Sequence, residues 1–182
     1  MGLFLQLGGI LASESASSEA VASLKDMYPK MLENVAFYSE KGDRVLSFFD
    51  DYATGLDEVI AEISRHLERP AFWFHIHDGD LWMYRLYQNG IEIDRFNTSP
   101  GYWAEVDNAE RKSWAGNAVK VSKVWPGVTP PDIERYLVDH EADSFDGEKK
   151  AYESDEYPEW DRWQLVDFLA KLGIPYPPDD EE

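Results

Sequence analysis

The sequence contains no cysteine. That absence removes disulfides, thiolate nucleophiles, zinc ribbons and iron–sulfur ligation together, so any metal would have to be held by histidine and carboxylate side chains. Histidine is itself scarce, with 4 in 182 residues. Basic side chains are few: 17 Lys and Arg stand against 36 Asp and Glu, a formal net charge of −19. A surface that neutralises duplex phosphates needs the opposite balance, which excludes nucleic acid as a partner. No apolar stretch approaches the roughly 18 residues needed to cross a bilayer. The opening run, residues 1–12, lacks a basic n-region and is interrupted by Gln6 and Gly8-Gly9, so it does not read as a signal peptide. Gln6 also stands where a myristoylation motif wants Ser or Thr. A soluble, cytoplasmic protein with no membrane partner is the expectation. The P-loop, the dinucleotide GxGxxG, the GxSxG elbow and the HExxH helix are all missing.

What is present is aromatic. Seven Trp, 10 Tyr and 9 Phe, in a chain 43% hydrophobic, are too much apolar surface for a disordered polypeptide, and the length suits one domain. Residues 3–10 are a short apolar run ended by Gly8-Gly9, read as a buried strand before a turn. The apolar positions of 18–32 recur every three or four residues, the spacing of a helix face. Residues 34–38 and 44–49 read as a hairpin with a longer, Gly-containing loop. A second helix, capped by Thr54 or Asp57, runs to about residue 68 with Leu56, Val59, Ile60, Ile63 and Leu67 inward. Asp78-Gly79 and Asn89-Gly90 then join three strands into a meander, because these pairs supply the positive φ of tight turns.

The expected fold class is therefore α+β: an antiparallel sheet with a ferredoxin-like βαββαβ start, both helices on one face, extended by the meander. Residues 1–97 form this sheet domain, and 98–182 a helical, acidic extension packed on the same unit. Within the extension, helices are expected over 104–121, 132–140 and 160–172, the last stopped by Gly173 and Pro175. Tyr102-Trp103, Trp114 and Trp125 read as core or as the seam between the two parts.

One segment could carry chemistry. His75-Ile-His77-Asp78-Gly79-Asp80 places two imidazoles and two carboxylates within six positions. In a strand His75 and His77 share a face. With a two-residue Asp78-Gly79 turn, Asp80 stands opposite His77 and Trp82 opposite His75, with Trp73 and Tyr84 further along that face. Phe74, Ile76, Leu81 and Met83 then face the core. His75, His77 and Asp80 are the candidate metal ligands, Asp78 and Asp80 the candidate catalytic carboxylates, and Trp73, Trp82 and Tyr84 a candidate ligand-binding wall. A third distant ligand would still be needed for a metal. The plainer reading stands beside this one: turn chemistry explains Asp78-Gly79, and Asp80 with His77 is an ordinary cross-strand ion pair. The sequence leaves the cofactor unknown, with none favoured over a divalent metal. His66 and His140 are expected on exposed helix surfaces.

At His75-Ile-His-Asp-Gly-Asp-Leu-Trp-Met-Tyr84, and onward through Asn89-Gly90, Asp94-Arg-Phe-Asn97 and Tyr102-Trp103, the sequence resembles a family of uncharacterised bacterial proteins, a domain of unknown function. Met1-Gly-Leu-Phe4, Trp163-Gln-Leu-Val-Asp-Phe-Leu169 and Leu172-Gly-Ile-Pro-Tyr-Pro177 look similar to the same family's ends. The resemblance implies one architectural unit of bacterial cytoplasmic origin and carries no activity across.

The acid is unevenly spread. From Pro131 onward 17 acidic residues face 5 basic ones, about two thirds of the total imbalance. Such a surface suits a basic protein partner, as in the small acidic immunity proteins that block basic nucleases, an analogy of charge and size. The expected function is non-enzymatic binding of that kind. The alternative is a metal-dependent, hydrolase-like enzyme built on the histidine hairpin.

Overall fold

In the computed structural model the described residues are 2–12, 24–26, 28–29, 32, 35–38, 43–49, 54–142 and 145–177. Six strands, β1 (Leu5–Leu11), β2 (Ala36–Tyr38), β3 (Arg44–Phe48), β4 (Ala71–His77), β5 (Leu81–Gln88) and β6 (Ile91–Asn97), form one sheet in the order β2-β3-β1-β4-β5-β6. Every neighbouring pair is antiparallel. Helix α1 (Leu56–Leu67) precedes β4, and α2 (Asn108–Ser113), α3 (Ala118–Val124), α4 (Pro130–Ile133) and α5 (Gln164–Lys171) follow β6. The α+β class is as expected. The helix expected over 18–31 lies largely outside the described residues; within it Leu24, Lys25 and Asp26 are helical and Leu24 is buried. Residues 39–42, between β2 and β3, also lie outside them.

The sheet is covered on both sides. On one face α1 sets Val59, Ile60 and Ile63 against Ile10, Val45, Ala71 and Tyr87. On the other, Leu7, Phe72, Phe74, Trp82, Tyr84 and Phe96 meet Trp125, Tyr136, Phe168, Leu169 and Leu172 of the C-terminal part. Gly8 and Gly9 are not a turn. They sit in the middle of β1 and let both layers close on the central strand: a Cβ on Gly8 would lie 2.6 Å from Ile60 Cδ1, and one on Gly9 2.7 Å from Ile174 Cδ1. Polar ties complete the second layer. Arg44 Nε and Trp125 Nε1 each donate to the Leu172 carbonyl at 2.8 Å, satisfying an acceptor that the end of α5 leaves unpaired.

Local chemistry explains where helices depart from expectation. The stretch 104–121 is two short helices because Asp107 caps one, Asn117 caps the next, and Gly116 at φ 68° turns the chain between them. The helix expected over 132–140 is only α4 and a 3-10 turn, Glu134–Tyr136, since Ile133 leaves helical geometry at φ −130°. Residues 160–163 lie outside the helix, so α5 starts at Gln164; Gly173 closes it at φ 68° as expected. Neither Thr54 nor Asp57 caps α1. Gly55 holds the N-cap position in the left-handed region, and Asp57 instead binds Arg85 Nη1 at 2.8 Å.

The register of β4 and β5 differs from expectation and changes the site. Asp78 and Gly79 take φ of 53° and 76°, and the Asp80 N–H donates to the His77 carbonyl at 3.0 Å, as in a two-residue turn. Yet Leu81 is the partner of His77, Trp82 of Ile76 and Tyr84 of Phe74. Asp80 is thus an extra residue, a bulge. Because side chains alternate with period two, that one residue moves the whole of β5 to the opposite face.

Candidate functional site

The extra residue separates the proposed ligand wall. Trp82 and Tyr84 are fully buried on the core face, where Trp82 Nε1 donates to Gln164 Oε1 at 3.3 Å and the Tyr84 hydroxyl to Asp94 Oδ2 at 2.7 Å. They do not stand beside the histidines. Met83 faces His75 instead, and Leu81 faces His77. Trp73 does share the histidine face: its ring stacks on His75 at 5.5 Å and 8°, and its Nε1 donates to Gln6 Oε1 at 3.3 Å.

The two histidines come together. His75 Nε2 lies 3.1 Å from His77 Nδ1, a hydrogen bond that requires one of the two nitrogens to be protonated. Burial, then the neighbouring His77, hold the His75 pKa down to about 4, against an opposing pull from the Leu5 backbone. His75 is therefore neutral at physiological pH. Its Nδ1 is buried and makes no hydrogen bond of good geometry among the described residues.

Asp80 is drawn away from this pair. Its Oδ2 accepts the Tyr102 hydroxyl at 3.0 Å, a bond that raises the tyrosine pKa, and it forms no ion pair with His77 among the described residues. The expected cross-strand pair is absent because Leu81, not Asp80, stands opposite His77. Asp78 packs on Gly2, where an added Cβ would lie 1.6 Å from Asp78 Oδ1. The histidine and carboxylate candidates are thus an imidazole pair and two separately engaged carboxylates. Among the described residues no three His, Asp or Glu side chains gather in a group able to hold a metal ion.

Around His77 the chain assembles aromatic rings instead. Phe4, Trp103 and Tyr102 meet it edge-on, with centroids at 4.9, 5.0 and 5.6 Å. Tyr102 and Trp103 are not core: they are 38% and 55% exposed. They follow Ser99-Pro100-Gly101 and precede Glu105 and Asp107, so turn chemistry on one side and charge on the other were the sequence signals for a surface loop. Trp125, by contrast, is buried.

Trp103 is also a wall of a cleft of about 190 Å³, completed by Asn97, Pro100, Val106, Glu110 and Trp114. A second hollow of about 140 Å³ shares Asn97, Pro100 and Trp114. The Trp114 ring already carries the Arg95 guanidinium 4.5 Å from its centroid. Glu110 makes no ion pair among the described residues, so the cleft has aromatic walls and one uncommitted negative charge. His66 is exposed on α1 as expected. His140 is not: it lies outside any helix, its ring stacks on Phe145 at 4.2 Å, and burial lowers its pKa to about 4.

Among the described residues no helix is long and apolar enough to cross a membrane. Comparisons with protein-family models, curated proteins and solved structures find no match to this chain.

Proposed function

We propose that the protein is a non-enzymatic binding protein that docks a basic protein partner, like the small acidic immunity proteins in size and charge. The observation that carries this reading is the exposed Tyr102-Trp103 pair beside the hairpin carboxylates Asp78 and Asp80. Exposed tryptophan and tyrosine are the side chains that most often anchor interfaces. The charge of −19 adds electrostatic steering, which speeds association with a basic surface. The bacterial cytoplasm is the compartment that the family resemblance favours.

Affinity capture at low and high salt tests the reading. A basic protein should be retained at low salt, released at high salt, and lost by the Tyr102→Ala/Trp103→Ala double variant. Retention by that variant, or indifference to salt, overturns it.

A second reading, the metal-dependent hydrolase-like enzyme, is favoured by one distance. Two nitrogens 3.1 Å apart match the separation of neighbouring ligand atoms on one ion at metal–nitrogen distances of about 2.0–2.1 Å. Elemental analysis decides it: stoichiometric metal in the wild type, lost in His75→Ala and His77→Ala, is the required result.

We also infer that the first four strands form the ferredoxin-like unit. The order β2-β3-β1-β4 supports this, because a split βαβ unit places its third strand between the first two and its fourth on the far side of the first.

A further inference from the structure

We infer that the cleft between the Trp103 loop and α2 receives an arginine side chain of the basic partner, its guanidinium stacked on Trp103 and paired with Glu110. The inference rests on the binding function proposed above and names the chemistry of one contact within it.

Three observations converge on arginine. The walls are aromatic, and a cation over an indole face is attracted by the ring quadrupole. Trp114 already makes this contact with Arg95, so that ring is in use, whereas Trp103 carries no cation among the described residues and is 55% exposed. Glu110 lines the same cleft, is exposed, and has no ionic partner among the described residues. A planar guanidinium can stack on the indole and still present N–H donors to the carboxylate, which a lysine ammonium does less well. Pro100, Ala104 and Val106 add apolar lining, which suits the methylene stem of the side chain. Among the cations nearby, Lys112 lines the adjoining hollow and has no ion pair among the described residues, whereas the others are neutralised. Arg111 is engaged by Asp139 and Glu141, at 2.5 and 2.8 Å, and Arg85 by Asp57 at 2.8 Å.

The test is a titration of the full chain with N-acetyl-arginine amide, followed by the indole N–H resonances of Trp103 and Trp114, assigned with Trp103→Phe and Trp114→Phe. N-acetyl-norleucine amide serves as the apolar control. Saturable shifts at both indoles are expected with the arginine compound and not with norleucine. Glu110→Gln, an exposed change that leaves the core untouched, should weaken binding by roughly two- to fivefold, the range of an exposed ion pair. Trp103→Ala should abolish the Trp114 shift. Equal response to norleucine, or no effect of Glu110→Gln, overturns the assignment. A longer arginine-rich peptide separates the two levels. Salt-dependent binding that leaves Trp103 and Trp114 unmoved refutes the cleft and preserves the binding function, and no binding at all refutes both.

Discussion

Two half-buried histidines make the stability of this protein sensitive to acid. His75 and His140 each have a pKa near 4 in the folded chain, against about 6.5 when unfolded. Between those values the unfolded chain takes up protons that the folded chain refuses, so stability falls as pH drops from about 6.5 toward about 4. Thermal unfolding as a function of pH checks this: His140→Phe should show a shallower loss over that window than the wild type, and an identical slope would rule out His140 as a contributor. Asp94, raised by its burial, pulls in the opposite sense, which is why the comparison with the variant matters more than the raw curve. The Tyr84 hydroxyl offers a second residue-scale test. Its bond to Asp94 is buried, and Asp94 also accepts the Asn117 N–H at 2.9 Å. Tyr84→Phe should cost about 1.5–3 kcal/mol in denaturant unfolding, the range for a hydrogen bond to a charged group. Neither pairing is visible in the sequence. Tyr84 and Asp94 are ten residues apart, and they meet only because β5 and β6 are antiparallel neighbours with Leu86 opposite Asp94.

The hairpin between β4 and β5 shows how one residue governs an element. Asp78 and Gly79 already have the geometry of a two-residue turn, and Asp80 is an insertion beside it. Deleting Asp80 should therefore leave Trp82 and Tyr84 on the core face and preserve cooperative unfolding and the near-ultraviolet circular dichroism of the buried aromatics. Loss of that signal would show that the bulge is needed for the fold. Strand β1 behaves in the opposite way. Gly8 and Gly9 are closed in from both faces, so Gly8→Ala should cost about 1–3 kcal/mol by overpacking against Ile60 and Ser47. Much of the element pattern was legible: the six strands, α1, the Asn89-Gly90 turn with its φ of 52° and 78°, and the Gly173 stop. The hairpin parity was not. Asp-Gly reports the sign of φ at two positions, while the number of residues in the loop depends on how the strands pair, and here a bulge shifts that pairing by one.

At the scale of the molecule, the C-terminal part is a structural layer of the sheet as much as an acidic surface. Phe168 stacks on Tyr84 at 5.7 Å and meets Phe74, Trp82 and Tyr136 at 5.3–6.3 Å. Phe168→Ala should cost about 3–5 kcal/mol, measured by denaturant midpoint. A fragment of residues 1–97 would leave Phe72, Phe74, Trp82 and Tyr84 uncovered. It should bind a hydrophobic dye and lack a cooperative transition, and a stable, dye-silent fragment would contradict the shared core.

By itself the sequence determined the class, the period of each long element and the polarity of the surface, because these follow from local patterns of apolar, turn-forming and charged residues. It also placed His75 and His77 on one strand face, since that needs only the two-residue period. Tertiary structure decided what stands around them. The bulge at Asp80 exchanged Trp82 and Tyr84 for Leu81 and Met83, and the return of the chain after β6 brought Tyr102 and Trp103 to His77 and opened the cleft toward Glu110. The contacts of Tyr102 and Trp103 with His77 join residues from different elements, where no local pattern reaches and only the packing of the chain after β6 against the hairpin fixes the distance.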